Sequence, residues 1–138
     1  MLLKKPSNPP CVDELPLRML ANLGDAVSGL YERERAIFSC ATAKQMHHQV
    51  KERVNAKTQA DLLDQISDLL NEKELNLVRR ARNLKTAHHR KSDQSFYRKA
   101  TAFEALVGYL YMADVKRLAE LFEALDRMRS DKETKTES

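Results

Sequence analysis

Two nearly apolar stretches of the sequence each contain a single charged residue, and both of these residues are carboxylates. Asp25 lies within residues 19–31 and Glu104 within residues 100–113. Burying a lone ionised carboxylate is costly, so a stable fold supplies a paired cation, several hydrogen bonds or a metal ion. Neither stretch contains Lys or Arg, so the partner must come from elsewhere. Three interpretations stay open: an ion pair with an arginine from another helix, a helix start after Gly24, or a bound metal ion.

The elements that must position these carboxylates are predicted to be helices. Proline occurs only at positions 6, 9, 10 and 16, so nothing beyond residue 16 forces a helix to end. Asn71 followed by Glu74 resembles a capping box that opens a helix. The pattern predicts an all-α fold of about seven helices, at about 14–22, 25–38, 43–54, 56–70, 72–83, 93–113 and 114–128.

Length and composition predict one domain between two polar ends. The 138 residues can bury a single core. We expect a flexible leader at 1–13, the domain at 14–128 and a disordered tail at 129–138. The leader has charges and prolines where a secretory signal needs apolar residues, and no segment reaches the roughly 18–20 apolar residues that span a bilayer. With only two cysteines, a cytoplasmic protein with no membrane partner is favoured.

Positive charge is concentrated in one block of the sequence. Residues 79–99 hold eight Lys or Arg and one acid, whereas the whole chain has a net charge of +4. No apolar stripe crosses 84–95, so we expect an exposed loop that either meets a polyanion or is simply solvated. A membrane would require an amphipathic insertion face, and single-stranded nucleic acid would require interleaved aromatic residues. The composition therefore favours duplex RNA, which is recognised through its backbone and 2′-hydroxyls.

The residues around both carboxylates resemble the ribonuclease III catalytic domain. Residues 20–27 (LANLGDAV) are similar to the Leu-Gly-Asp-Ala-Val signature of that family, and residues 101–110 (TAFEALVGYL) are similar to its Phe-Glu-Ala-Leu signature. Residues 54–60 (VNAKTQA) and 79–85 (RRARNLK) resemble motifs of the Mini-III branch. The chain is also expected to lack an appended domain for binding double-stranded RNA, which is typical of that branch.

The resemblance implies a single ribonuclease III-type domain that forms a symmetric homodimer and cleaves double-stranded RNA with Mg²⁺. Asp25 and Glu104 would be both the metal ligands and the catalytic residues. The branch implies maturation of the precursor of 23S ribosomal RNA, with a ribosomal protein as a further partner, in the cytoplasm or the plastid stroma. The residues expected to contact RNA are Lys57, Gln59, Arg79, Arg80, Arg82, Asn83, Lys85, Arg90, Lys91 and Arg98. For Lys57 and Gln59 the resemblance implies a position near the RNA or at the rim of the active site, and a solvated helix face is an equally open alternative.

The sequence departs from the wider family at two acidic positions. Classical ribonuclease III has an acid four positions before the signature Asp, where this chain has Ala21, and an Asp three positions before the helix Glu, where it has Thr101. Two protein carboxylates can suffice for Mg²⁺, which keeps several of its waters. The alternative is a non-catalytic helical module for RNA binding or ribosome assembly that keeps the fold but has lost strong metal binding.

Overall fold

Six α-helices form in the part of the chain that the structure describes. The computed structural model of the chain describes residues 6–9, 11–84 and 94–137, and of residues 94 and 132–137 it describes the backbone. The helices are α1 (Leu17–Ser39), α2 (Ala43–Val54), α3 (Ala56–Ile66), α4 (Glu72–Arg82), α5 (Gln94–Ala113) and α6 (Val115–Glu137). Short 3-10 helices occupy Val12–Glu14 and Ser67–Leu69. Because the described residues form no β-strand, the predicted all-α fold is confirmed.

Helix α5 lies at the centre of the fold. Its middle, residues 102–110, is buried on all sides except at Glu104, which is half-buried. A helix that is apolar all round belongs in an interior, and α5 packs against α1, α3, α4 and α6. The core around it consists largely of leucines from these neighbours, among them Leu20, Leu62, Leu63, Leu77, Leu118 and Leu121.

Helices α1 and α5 cross at two glycines. A Cβ atom built on Gly24 would lie 2.6 Å from the carbonyl carbon of Glu104, and one built on Gly108 would lie 2.8 Å from the carbonyl carbon of Leu20. Carbon atoms normally approach to about 3.5–4.0 Å, so only glycine allows the two backbones to touch here. Asp25 follows Gly24 directly, and this crossing therefore brings it beside Glu104.

Local capping sets the starts of three helices. The side chain of Thr42 accepts a hydrogen bond from the Gln45 N–H at 3.1 Å, and the side chain of Asn55 accepts one from the Thr58 N–H at 2.9 Å. The predicted capping box at α4 is confirmed, since Asn71 and Glu74 exchange bonds of 2.9 Å in both directions. The predicted helix at 43–54 matches α2 at both ends.

The structure corrects two predictions about the helices. The first two predicted helices are one, because Gly24 packs inside α1 and does not end it. Asp25 is therefore well inside α1, and its interpretation as a helix start is wrong. At the other end, α6 continues to Glu137, so the prediction of a disordered tail is wrong over residues 129–137.

The last two residues of the predicted leader, Val12 and Asp13, contact the domain. The Tyr109 hydroxyl donates a hydrogen bond of 2.7 Å to Asp13, whose carboxylate lies 3.2 Å from the Lys73 ammonium. Val12 packs against the core. Over the described residues, no helix has the length and apolarity required to cross a bilayer.

Candidate active site

Asp25 and Glu104 lie side by side where α1 crosses α5. Asp25 is exposed and Glu104 is half-buried, so the expectation that both are buried is wrong for Asp25. Burial, first, and the negative charge of Asp25, second, raise the pKa of Glu104 to about 7. Among the described cations, none forms an ion pair with either carboxylate. The arginine-pair interpretation therefore finds no support in this part of the chain.

The chemistry of this pair fits a hard divalent cation. Two carboxylates in contact repel each other when both are ionised, and a cation between them would relieve that repulsion. Within the described ranges, no group of three or more His, Cys, Asp or Glu could hold a metal. The available donor set is therefore two carboxylates, which matches Mg²⁺ because this ion keeps several waters and prefers oxygen ligands.

Gln59 belongs to this site and not to an RNA-contacting surface. It lies on α3, is only 2% exposed, and its amide group lies against the Glu104 carboxylate and acts to lower the pKa of that group. A side chain this buried cannot contact RNA from solution, so the prediction that Gln59 binds RNA is wrong. The signal was present in the sequence: Gln59 shares the helical spacing of Leu62, Leu63 and Ile66, which form the buried stripe of α3.

Four of the predicted RNA-contacting residues line one groove. Arg79, Arg82 and Asn83 come from the end of α4, and Arg98 comes from the first turns of α5. All four are exposed, and the groove that they form with Leu75 and Val78 has a volume of about 340 Å³. We call these six residues the basic groove. Arg98 precedes Glu104 by six positions on α5, which corresponds to about 9 Å along the helix axis.

The other predicted contacts are distributed differently. Arg80 donates a hydrogen bond of 2.9 Å to Asn76 and lines a separate cavity with Asp13 and Tyr109, so it does not join the basic groove. Lys57 is exposed in the first turn of α3. Lys85, Arg90 and Lys91 lie outside the described residues.

A second polar cluster, which no motif of the sequence indicates, lies further along α1. Glu32 is 5% exposed, and its Oε1 atom lies 3.2 Å from Arg129 and 3.7 Å from Arg53. One turn on, Arg35 pairs with Asp126. These ion pairs connect α1 with α2 and α6. Because Glu32 is almost wholly buried beside two arginines, removing one partner would leave an uncompensated charge between these helices.

The comparisons with known proteins agree with this geometry. Residues 18–115 match the family model described as the ribonuclease III domain. A Mini-ribonuclease 3 from a Synechococcus strain is 36% identical over 118 residues, covering 86% of each chain. A Mini-ribonuclease 3 from Brevibacillus brevis is 42% identical over 106 residues, covering 75% of this chain and 79% of the relative.

A solved structure shares the fold as well. A crystal structure of a protein from Fusobacterium nucleatum aligns with a TM-score of 0.75 and 27% identity, and the alignment covers 88% of this chain and 97% of that one. The matched domain identifies the class of protein as an endoribonuclease of the ribonuclease III type. The chain belongs to the ribonuclease III family, in the group of the Mini-ribonuclease 3 proteins.

Proposed function

We propose that this protein cleaves double-stranded RNA in a Mg²⁺-dependent reaction, with Asp25 and Glu104 as the metal ligands. The observation that carries the proposal is the contact between these two carboxylates, neither of which forms an ion pair with a described cation. Mg²⁺ bound there would supply a Lewis acid for the scissile phosphate and an activated water. The chain would supply the rest: two carboxylate ligands and a surface that positions the RNA.

The roles of the two carboxylates differ because their surroundings differ. Asp25 is exposed and faces the solvent from which both the ion and the RNA arrive. Glu104 is half-buried and, with a pKa raised to about 7, is protonated in part of the molecules near neutral pH. A cation would bind the ionised form, so its binding would become tighter as the pH rises through this pKa.

The basic groove supports a duplex RNA as the substrate. Its three arginines present planar donors that suit phosphate oxygens, and Arg98 lies on the same helix as Glu104. We propose that an RNA backbone bound in the groove continues from Arg98 along α5 to the carboxylate pair, about 9 Å further along the helix axis. The precursor of 23S ribosomal RNA, handled in the cytoplasm together with a ribosomal protein, is the substrate that we propose for this activity.

An exposed apolar stripe on α1 supports a homodimer. Met19, Leu30 and Ile37 are 60%, 41% and 63% exposed, and their spacing, shared with Ala26, places them on one face of the helix. Pairing this stripe with its copy about a two-fold axis would cover the apolar surface and bring two carboxylate sites to one duplex, one for each strand. Sedimentation analysis is expected to find a dimer; a monomer at working concentration would contradict this part of the proposal.

The test of the catalytic assignment is cleavage of a structured duplex RNA with and without Mg²⁺. Glu104→Gln keeps the size of the side chain but removes a ligand charge, and we expect it to lower the cleavage rate by at least about 100-fold. Glu123→Gln is the matched control, because Glu123 is an exposed acid on α6. Cleavage by Glu104→Gln at the wild-type rate would refute the assignment. RNA binding without Mg²⁺-dependent cleavage by the wild type would favour a non-catalytic RNA-binding module.

A further inference from the structure

The Gln59 amide is a buried hydrogen-bond donor at the carboxylate site. Gln59 is 2% exposed, and its Nε2 atom has no hydrogen-bond partner of ordinary geometry among the described residues. Leaving a buried amide N–H unpaired is unfavourable, so such a group in a stable fold calls for an explanation. The polar group that it faces is the carboxylate of Glu104, on the neighbouring helix α5.

We propose that Gln59 is a positioning residue for the metal site: its amide N–H donates to one oxygen of the Glu104 carboxylate and leaves the other oxygen turned towards the cation. This inference rests on the proposed function, because it assigns Gln59 a role only if Glu104 is a metal ligand. Polar groups just outside the ligand set commonly orient the ligands in this way.

The arrangement of the site gives this contact its weight. Among the described residues, no third carboxylate joins Asp25 and Glu104 at this site. The orientation of each of the two therefore determines how a cation would be held. Asp25 is exposed and can adjust, whereas Glu104 is half-buried between packed helices. A hydrogen bond from Gln59 on α3 would therefore orient Glu104, the ligand whose position the surrounding helices already restrict.

A packing role alone does not account for Gln59. The other positions of the same buried stripe are occupied by Leu62, Leu63 and Ile66, which fill space without burying a polar group. An amide at this position buries two N–H groups and a carbonyl at a cost that an apolar residue would avoid. The amide is therefore explained by the group that it faces.

The first experiment measures binding of Mn²⁺, a paramagnetic substitute for Mg²⁺, to the full-length protein without RNA by electron paramagnetic resonance. Gln59→Met keeps the approximate shape and removes the donor, and we expect its Mn²⁺ dissociation constant to rise about 10- to 100-fold. Gln65→Met is the matched control on the same helix, since Gln65 is only half-buried. Its Mn²⁺ affinity should equal that of the wild type. With RNA, Gln59→Met should lower kcat at limiting Mg²⁺ while the KM for RNA stays unchanged.

A second measurement on the wild type needs no substitution. In the nuclear magnetic resonance spectrum, the side-chain amide of Gln59 should shift on titration with Mg²⁺, while that of Gln65 stays in place. Wild-type Mn²⁺ affinity in Gln59→Met, or a Gln59 amide that does not shift at saturating Mg²⁺, would overturn the inference. Glu104→Gln separates the two proposals: if it binds Mn²⁺ as tightly as the wild type, the proposed function fails, whereas normal binding by Gln59→Met alone refutes only the role of Gln59.

Discussion

Substituting Gly24 by Ala should test the crossing of α1 and α5, on which the site depends. The added Cβ would lie 2.6 Å from the carbonyl carbon of Glu104 and 2.9 Å from the amide nitrogen of Gly108, and both atoms belong to the backbone. Ordinary carbon contacts are about 3.5–4.0 Å. The Glu104 carbonyl oxygen would lie closer still, and backbone cannot swing aside as a side chain can, so the two helices must part by at least about 1 Å.

The expected magnitude follows from two opposing effects. Alanine in place of glycine favours a helix by about 1 kcal/mol. Overpacking a close interior contact costs about 1–3 kcal/mol, and the upper end applies here because the atoms that clash cannot move independently. We therefore expect the free energy of unfolding to fall by about 2 kcal/mol. Parting the helices also moves Asp25 away from Glu104, and a misplacement of about 1 Å can lower a catalytic rate by about 100-fold.

The assay is urea unfolding followed by far-ultraviolet circular dichroism, with RNA cleavage measured on the same samples. Gly29→Ala is the control on the same helix, because a Cβ there would meet only the tip of the flexible Arg33 side chain, at 2.8 Å. Its stability should stay the same or rise by up to about 1 kcal/mol. If Gly24→Ala is as stable and as active as Gly29→Ala, the close crossing does not hold the carboxylates in place.

Three further predictions concern pH, RNA binding and the second polar cluster. Without metal, the folded protein keeps the Glu104 proton up to about pH 7, whereas the unfolded chain releases it near 4.5, so the free energy of unfolding should decrease as the pH rises between these values. Denaturant titrations of the wild type at several pH values should show this decrease, and titrations of Glu104→Gln should not. The rate of RNA cleavage at limiting Mg²⁺ should instead increase with pH over the same range. Arg98→Ala should weaken RNA binding in filter-binding assays. It should also reduce the slope of log affinity against log salt by about 0.9 for each phosphate that the protein no longer neutralises. The control Arg127→Ala, an exposed residue of α6 that does not line the basic groove, should leave the slope unchanged. Glu32→Ala leaves two arginines uncompensated and should lower the free energy of unfolding, measured by urea titration, by about 2–3 kcal/mol. Glu120→Ala removes only a surface ion pair and should change the free energy of unfolding by less than about 1 kcal/mol.

Helix starts were predictable because their causes are local. The Asn71–Glu74 capping box depends on residues three positions apart, and both of its bonds form as predicted. The helix at 43–54 was likewise predicted at both ends. Gly24 misled the prediction because glycine commonly ends helices, whereas here it permits a contact with a helix that lies far away in the sequence.

The site was predicted less evenly. The two carboxylates stood out because each interrupts an apolar stretch, and the structure brings them together. Gln59 and Arg80 were assigned to an RNA-contacting surface because each belongs to a sequence motif. Neighbouring residues within such a motif point in different directions when the motif is helical, so they need not share a surface. Gln59 lies in the interior and Arg80 lines a different cavity from that of Arg79 and Arg82.

The sequence by itself determined an all-helical domain, the segments that form its core and the residue types available for chemistry, because apolar spacing, caps and charge all act over a few residues. Only the tertiary structure decided which of these residues meet. Asp25, Gln59 and Glu104 lie on three different helices, and their meeting depends on the close approach of α1 to α5 at Gly24 and Gly108 and on the packing of α3 against α5. Such contacts arise from the fit of whole helices across the core, for which no short stretch of sequence carries a signal.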